Sequence, residues 1–200
     1  MLVLLQYCYD LFLHLLGYIG LCTPPAASAA ATPDGLVRRL GGQEQMYYEC
    51  HNMDQYNIGM VVFLSSDHAI TRAHLQRVMT RLMTRHPLLR MRVTRCDGEL
   101  YWQQMDDVTP DVRVQETNDW KGVFEDTIHE RYNTNAGPLW RVTLLPDVTS
   151  DYMDPDFEHH AVLILGFSHV ITDGQGTCTY SAHVHVQFNK YRTYDMKFIY

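Results

Sequence analysis

The chain has few cysteines, and their placement excludes the common uses of paired thiols. The 200 residues contain five cysteines, an odd number, and no two of them form a C-x-x-C pair. This pattern predicts neither a disulfide framework nor a cysteine-type zinc site. Free thiols are typical of a reducing compartment, so we predict a cytoplasmic protein.

An excess of positive charge is also missing. Lys and Arg total 16 against 23 Asp and Glu, a net charge of −7, which argues against nucleic acid as a partner. The glycines at 41–42 and 174–176 lack the spacing of a phosphate-binding loop. The acidic segment 146–160 lacks the glycine and the ligand spacing of a calcium loop. His183 and His185, with His159 and His160, could suggest a metal site, but no carboxylate or cysteine lies at a fitting spacing. We therefore predict no metal and no resident cofactor.

The first 31 residues differ in composition from the rest of the chain. Residues 2–22 carry one formal charge, Asp10, and an alanine-rich run ends at Ala31. About 20 apolar residues suffice to span a bilayer. Residues 1–31 therefore form either a membrane-associated segment, through 2–22, or a loosely packed apolar extension. The sequence favours these two alternatives about equally. A cleaved signal sequence ranks third, because Ala-Ser-Ala at 27–29 resembles a cleavage site but no basic residue precedes the apolar run.

From residue 36 onward, short apolar runs alternate with amphipathic stretches, and 46% of the chain is hydrophobic, enough for a real core. The run AVLILGF at 161–167 has no polar side chain, which is typical of a strand buried on both faces. We predict an α/β (α+β) two-layer sandwich, a mixed sheet with helices packed on one face. The predicted strands are 57–65, 88–94, 99–103, 112–115, 139–145 and 161–167, and the predicted helices are 71–85 and 119–132.

A histidine follows directly after the most apolar of these strands. The segment S-H-V-I-T-D-G places His169 at the strand end, Asp173 four residues later and Gly174 next to it. An imidazole can accept a proton near neutral pH, an aspartate can brace the turn, and glycine permits a sharp turn. Taken alone, the H-x-x-x-D-G pattern fits a structural histidine better than a catalytic one.

Two further segments change that balance. R-H-P-L-L-R at 85–90 follows a predicted helix, and G-P-L-W-R at 137–141 precedes a predicted strand. Together with residues 168–174, and in this order, they resemble the R-H-x-x-L-R, G-P-L-x-R and H-H-x-x-x-D-G segments of the chloramphenicol acetyltransferase-like superfamily. That superfamily includes condensation domains of non-ribosomal peptide synthetases and alcohol acetyltransferases. The resemblance covers about residues 36–176.

The resemblance implies a role for each matched residue. His169 matches the catalytic histidine, and Asp173 matches a structural aspartate that pairs with an arginine. Arg90 and Arg141 are both candidates for that arginine, and the sequence does not choose between them. Ser168 occupies the position of the first motif histidine, which favours the alcohol acetyltransferase branch over a peptide-synthetase module.

The implied reaction is acyl transfer from an acyl-CoA or carrier-protein thioester to an alcohol or amine acceptor, with His169 as general base. Members of the superfamily have two lobes, whereas this sequence predicts a single N-terminal lobe (36–176) with a divergent or truncated tail (177–200). We therefore expect this chain alone to be inactive or weakly active and a second lobe, supplied in trans, to be a partner. The alternatives are a non-catalytic truncated lobe that acts as a binding module, and a membrane-anchored interaction protein in which His169 is structural.

Overall fold

The structure is a computed structural model of the 200-residue chain, and it describes residues 35–53, 57–106, 108–172, 176, 179–180, 184 and 194–199. The apolar segment 1–31 and two motif residues, Asp173 and Gly174, lie outside the described residues. In the described part, no helix is both long and apolar enough to cross a membrane.

Eight strands and three α-helices have both ends within the described residues, and residues 176, 179–180 and 184 are also helical. The strands are β1 (Leu36–Arg39), β2 (Asn57–Ser66), β3 (Met91–Cys96), β4 (Glu99–Gln104), β5 (Val112–Val114), β6 (Trp140–Pro146), β7 (His159–Ser168) and β8 (Tyr194–Ile199). The helices are α1 (Gly42–Asn52), α2 (Arg72–Arg85) and α3 (Trp120–His129), and a 3₁₀ turn spans Pro87–Arg90.

The strands form two sheets, and the larger one is mixed. Its order is β5-β6-β7-β2-β8, in which β5 pairs with β6 in parallel and every other pair is antiparallel. Strands β2 and β7 pair along their full length, from Asn57 opposite Ser168 to Ser66 opposite His159. The smaller sheet has the order β1-β4-β3. The predicted α/β class with a mixed sheet is confirmed.

The large sheet has a helix on each face, whereas we expected the helices on one face. The apolar stripe of α2, which includes Leu75, Met79 and Leu82, packs into the main core with alternate residues of β2, β6 and β7. The other face of β2 and β7 packs against Phe124 and its neighbours on α3. Because β-strand side chains alternate between faces, a strand that is apolar throughout is covered on both sides. Residues 161–168 are accordingly all buried.

Most predicted elements are present, with three differences. Residues 88–90 belong to the 3₁₀ turn that begins at Pro87, so the predicted strand begins only at Met91. Strands β1 and β8 and helix α1 were not predicted. The tail 177–200, for which no helix was predicted, contains helical residues at 179–180 and at Val184, which is buried.

Candidate active site

The three motif segments meet at one end of the large sheet. The indole N–H of Trp140, in G-P-L-W-R, donates a hydrogen bond to the carbonyl of Leu89, in R-H-P-L-L-R, at 2.9 Å. The backbone N–H of Ser168 donates to the carbonyl of Leu139 at 2.8 Å. Each motif segment is thus tied to the next by a buried hydrogen bond, which fixes the point at which β7 ends.

His169 is the first residue beyond β7, in a tight turn. The N–H of Ile171 donates to the carbonyl of Ser168 at 3.1 Å and closes this turn. Ser168, Val170 and Ile171 are buried, whereas His169 is partly exposed. The imidazole of His169 stacks on the ring of Tyr47 from α1, with ring centroids 3.9 Å apart and planes at 21°. The predicted histidine therefore lies at the mouth of a buried strand, in contact with an aromatic ring.

A second histidine lies directly behind this turn. His51 of α1 is 4% exposed, and its Nε2 lies 2.9 Å from the carbonyl oxygen of Tyr132. Its Nδ1 lies 3.5 Å from the hydroxyl of Ser168. A carbonyl only accepts, so Nε2 carries a proton, and in the neutral tautomer Nδ1 accepts from the Ser168 hydroxyl.

Arg141 lies on the α3 face of the sheet and forms an ion pair with Glu130. Its guanidinium carbon is 4.5 Å from the centre of the Tyr132 ring, and its Nε is 3.9 Å from a carboxylate oxygen of Asp111. Burial would raise the pKa of Glu130, but hydrogen bonds from Arg141 and Arg113 outweigh it and lower the pKa. Burial raises the pKa of Tyr132 well above its usual value, so its hydroxyl stays protonated.

Arg90, the other candidate partner of Asp173, ends the 3₁₀ turn. Its Nε is buried and has no hydrogen-bond partner among the described residues. Asp173 and Gly174 are outside those residues, so the structure brings together His169 and the support of its turn but does not test the aspartate. Arg141 also has buried nitrogens without a hydrogen-bond partner among the described residues, but it has ion-pair partners in Glu130 and Asp111.

Among residues 35–172 that the structure describes, no cluster of three or more His, Cys, Asp or Glu side chains could hold a metal ion. His183 and His185, which the sequence does not favour as metal ligands, lie outside the described residues.

Sequence reasoning missed Tyr47 and His51 because it missed α1 altogether. The helix sequence GQEQMYYECHN has no clear apolar stripe, so hydrophobic periodicity gives no signal. One local signal was present: Glu44 is the third residue of the helix, and its carboxylate accepts from the N–H of Gly41 at 2.6 Å. A glutamate at this position is a mark of a helix N-terminus.

Comparison with known proteins gives a match in structure but not in sequence. No protein-family model and no curated protein sequence matches the chain. Among solved structures, the starter condensation domain of rhizomide synthetase RzmA superposes with a TM-score of 0.62 at 14% identity, over 78% of this chain and 38% of that one. The four-domain nonribosomal peptide synthetase AB3403, bound to AMP and glycine, gives a TM-score of 0.59 at 17% identity, over 82% of this chain and 12% of that one.

The chain has the fold of one condensation-domain lobe. The predicted resemblance is confirmed as a likeness of fold, since a condensation domain superposes on most of this chain. The chain spans a little over a third of the length of the rhizomide synthetase domain. The alcohol acetyltransferase branch, which the serine at position 168 favours, finds no support in these condensation-domain neighbours.

Proposed function

We propose that this chain is the histidine-bearing lobe of an acyltransferase that moves an acyl group from a thioester to an amine or alcohol. The convergence of the three motif segments at the end of β7 carries this proposal. It leaves His169 partly exposed at the hydrogen-bonded end of a buried strand, within a condensation-domain fold. A general base has to be both held and accessible, and this position offers both.

His169 acts as the base in the proposed step. Its Nδ1 is buried, so in this proposal Nε2 is the nitrogen that takes the proton of the acceptor. As the acceptor nitrogen or oxygen attacks the thioester carbonyl, Nε2 takes its proton. The new C–N or C–O bond forms, the C–S bond breaks, and the thiolate leaves with the proton that the imidazolium returns. General base catalysis of this kind contributes about 10²–10⁴-fold to the rate.

Arg90 is the proposed partner of Asp173. Both guanidinium groups have buried nitrogens without a hydrogen-bond partner among the described residues. Arg141, however, has ion-pair partners in Glu130 and Asp111, whereas Arg90 has no ion-pair partner in the described part of the chain. An ion pair between Arg90 and Asp173 would join the R-H-P-L-L-R segment to the turn that follows His169. In this proposal the pair supports the turn and takes no proton from substrate.

The donor is proposed to be acyl-CoA or a carrier-protein thioester. One structure of a rhizomide synthetase starter-domain variant, with a TM-score of 0.62 at 13% identity over 76% of this chain and 35% of that one, is a complex with C8-CoA and Leu-SNAC. These ligands provide the assay: C8-CoA as donor, Leu-SNAC as amine acceptor, and released thiol as readout. The chain is tested alone and with a separately produced C-terminal lobe of that domain.

The decisive comparison is between His169→Ala and His68→Ala, because His68 is exposed and lies outside the motif segments. We expect His169→Ala to lower turnover by about 10²–10⁴-fold with the fold intact, and His68→Ala to leave it unchanged. Equal turnover in both variants would refute the role of His169. No transfer in any arm would contradict catalysis and favour the non-catalytic binding module.

A further inference from the structure

We infer that helix α1 is the positioning element of the site: Tyr47 holds the ring of His169, and His51 holds the residue before it. This inference rests on the proposed function for its catalytic meaning, and on geometry alone for the positioning. Tyr47 and His51 are four residues apart, so they lie on the same face of the helix. That face meets the end of β7.

Tyr47 restricts the imidazole of His169 from one side. The two rings are close to parallel at 3.9 Å, which fixes the ring plane within a narrow range. The hydroxyl of Tyr47 in turn accepts a hydrogen bond at 3.2 Å from the side-chain amide of Gln43, one turn earlier on α1. Gln43, Tyr47 and His51 therefore form a stripe at a spacing of four, and two of its members act directly on residues 168 and 169.

His51 fixes the backbone from which His169 projects. Its two ring nitrogens contact the carbonyl of Tyr132 and the hydroxyl of Ser168, and its side chain is almost fully buried. The Ser168 hydroxyl also accepts from the N–H of Val170 at 3.5 Å, so it links His51 to both sides of His169. Ser168 is fully buried, which excludes it as a nucleophile in this conformation and leaves it a structural link.

Tyr132 extends this support to the G-P-L-W-R segment. Tyr132, whose backbone carbonyl contacts His51, packs its ring against the guanidinium group of Arg141. Arg141 is paired with Glu130. A continuous chain of contacts thus runs from this ion pair through Tyr132 and His51 to the turn that carries His169. Side chains that must hold a base need such support, because a misplacement of about 1 Å can cost about 10²-fold in rate.

The experiment uses the full 200-residue chain and the NMR signals of the histidine ring protons, with His169 assigned through its loss in His169→Gln. Removal of the stacked ring in Tyr47→Leu should move the His169 ring signals downfield, because the ring current of Tyr47 no longer shields them. Tyr47→Phe keeps the ring and should keep the signals near their original position. Tyr152→Leu is the matched control, because Tyr152 contacts the ring of Phe63 in a tilted arrangement, with centroids 4.7 Å apart, on the α3 face of the sheet.

Ser168→Ala tests the contact between the Ser168 hydroxyl and His51 with little change in side-chain volume. This variant keeps the inference testable if Tyr47→Leu does not fold. It should move the ring signals of His51 and broaden those of His169. In the thiol-release assay, Tyr47→Leu should lower kcat about tenfold or more with little change in KM, and Tyr47→Phe should restore it. His169 signals that stay unchanged in both Tyr47→Leu and Ser168→Ala would overturn the positioning role.

The two readouts separate this inference from the proposed function. If the signals shift but no variant or parent chain transfers acyl groups, positioning stands and the acyltransferase proposal fails. If acyl transfer is present, depends on His169 and is unaffected by Tyr47→Leu, the proposed function stands and the positioning inference fails.

Discussion

At the scale of single residues, the ion pair between Arg141, the last residue of the G-P-L-W-R segment, and Glu130 is the interaction that we expect to matter most for stability. The Arg141 side chain is 9% exposed and that of Glu130 is 40% exposed, so a buried cation depends on a carboxylate at the surface. Removal of the Glu130 carboxylate would leave the buried guanidinium group without this partner. The free-energy cost of an unsatisfied buried polar group exceeds the net contribution of a typical hydrogen bond to stability. This asymmetry makes Glu130 important although it never contacts the site directly.

We expect Glu130→Gln to lower the free energy of unfolding by about 1–2 kcal/mol at neutral pH, a value reduced by the exposure of the carboxylate. Urea titrations measure it. Glu99→Gln is the control, because Glu99 pairs with Arg39 where both side chains are about half exposed, and such pairs contribute about 0–1 kcal/mol. Equal losses in the two variants would contradict the special role of the buried guanidinium.

The same pair predicts a pH dependence. Burial favours the protonated form of Glu130, yet the hydrogen bonds from Arg141 and Arg113 leave its pKa lowered in the folded state. A lowered pKa contributes stability above the unfolded value of about 4.3, and this contribution is lost as the pH falls through the folded value. The stability gap between the parent chain and Glu130→Gln should therefore shrink below about pH 4. A constant gap between neutral and acid pH would contradict it.

At the scale of elements, α2 shows how far local sequence rules determine structure. Thr71 has an extended backbone, and its hydroxyl accepts from the N–H of His74 at 3.1 Å. The helix ends at Arg85, because Pro87 disfavours a helical residue before it. We expect Thr71→Ala to cost about 1 kcal/mol, measured by thermal or urea unfolding. Thr80→Ala, inside the same helix and exposed, should be neutral or stabilising. A larger loss in Thr80→Ala than in Thr71→Ala would contradict the cap.

The packing of α3 rests on two glycines of the large sheet. A Cβ on Gly59 would lie 2.5 Å from Ile128, and one on Gly166 would lie 2.5 Å from Thr127. Absence of a side chain thus lets the helix approach the strands. We expect Gly59→Ala to destabilise the chain by about 1–3 kcal/mol. Gly42→Ala, at the start of α1 with nothing within 4 Å of the added atom, should be neutral or stabilising. A neutral result for Gly59→Ala would show that α3 can shift without cost.

The sequence predicts those elements whose signals are local and misses those that depend on distant contacts. Periodicity and capping place α2 and α3 to within a few residues, and the apolar run places β7. Helix α1 is polar and therefore gives no periodic hydrophobic signal. Strands β1 and β8 form by pairing with β4 and β2, and local sequence does not predict such distant pairing. For the same reason His169 could be predicted from its motif, but Tyr47 and His51 could not, since only the fold brings α1 to the end of β7. The pairing of Arg141 with Glu130 likewise joins residues with no shared motif.

At the scale of the whole molecule, the paired strands β2 and β7 form the centre of the lobe. Each strand has ten residues in register, with α2 on one face and α3 on the other. Strands β1 and β5 have four and three residues and lie at sheet edges. The free energy of the opening that exposes a backbone amide to exchange follows this difference in burial. It ranges from near zero at sheet edges to the free energy of global unfolding in core strands.

We therefore expect amide hydrogen exchange to be slowest in β2 and β7, for example at Val62 and Leu163, which face each other across the two strands. Exchange at Val37 in β1 and Val114 in β5, both exposed, should be about a hundredfold faster or more. Because His169 continues directly from β7, slow exchange up to Phe167 would mean that the base is attached to the most stable part of the lobe. Exchange in β7 as fast as in β1 would instead place His169 on a strand that opens readily, and the proposed base would lose the rigid support on which its role depends.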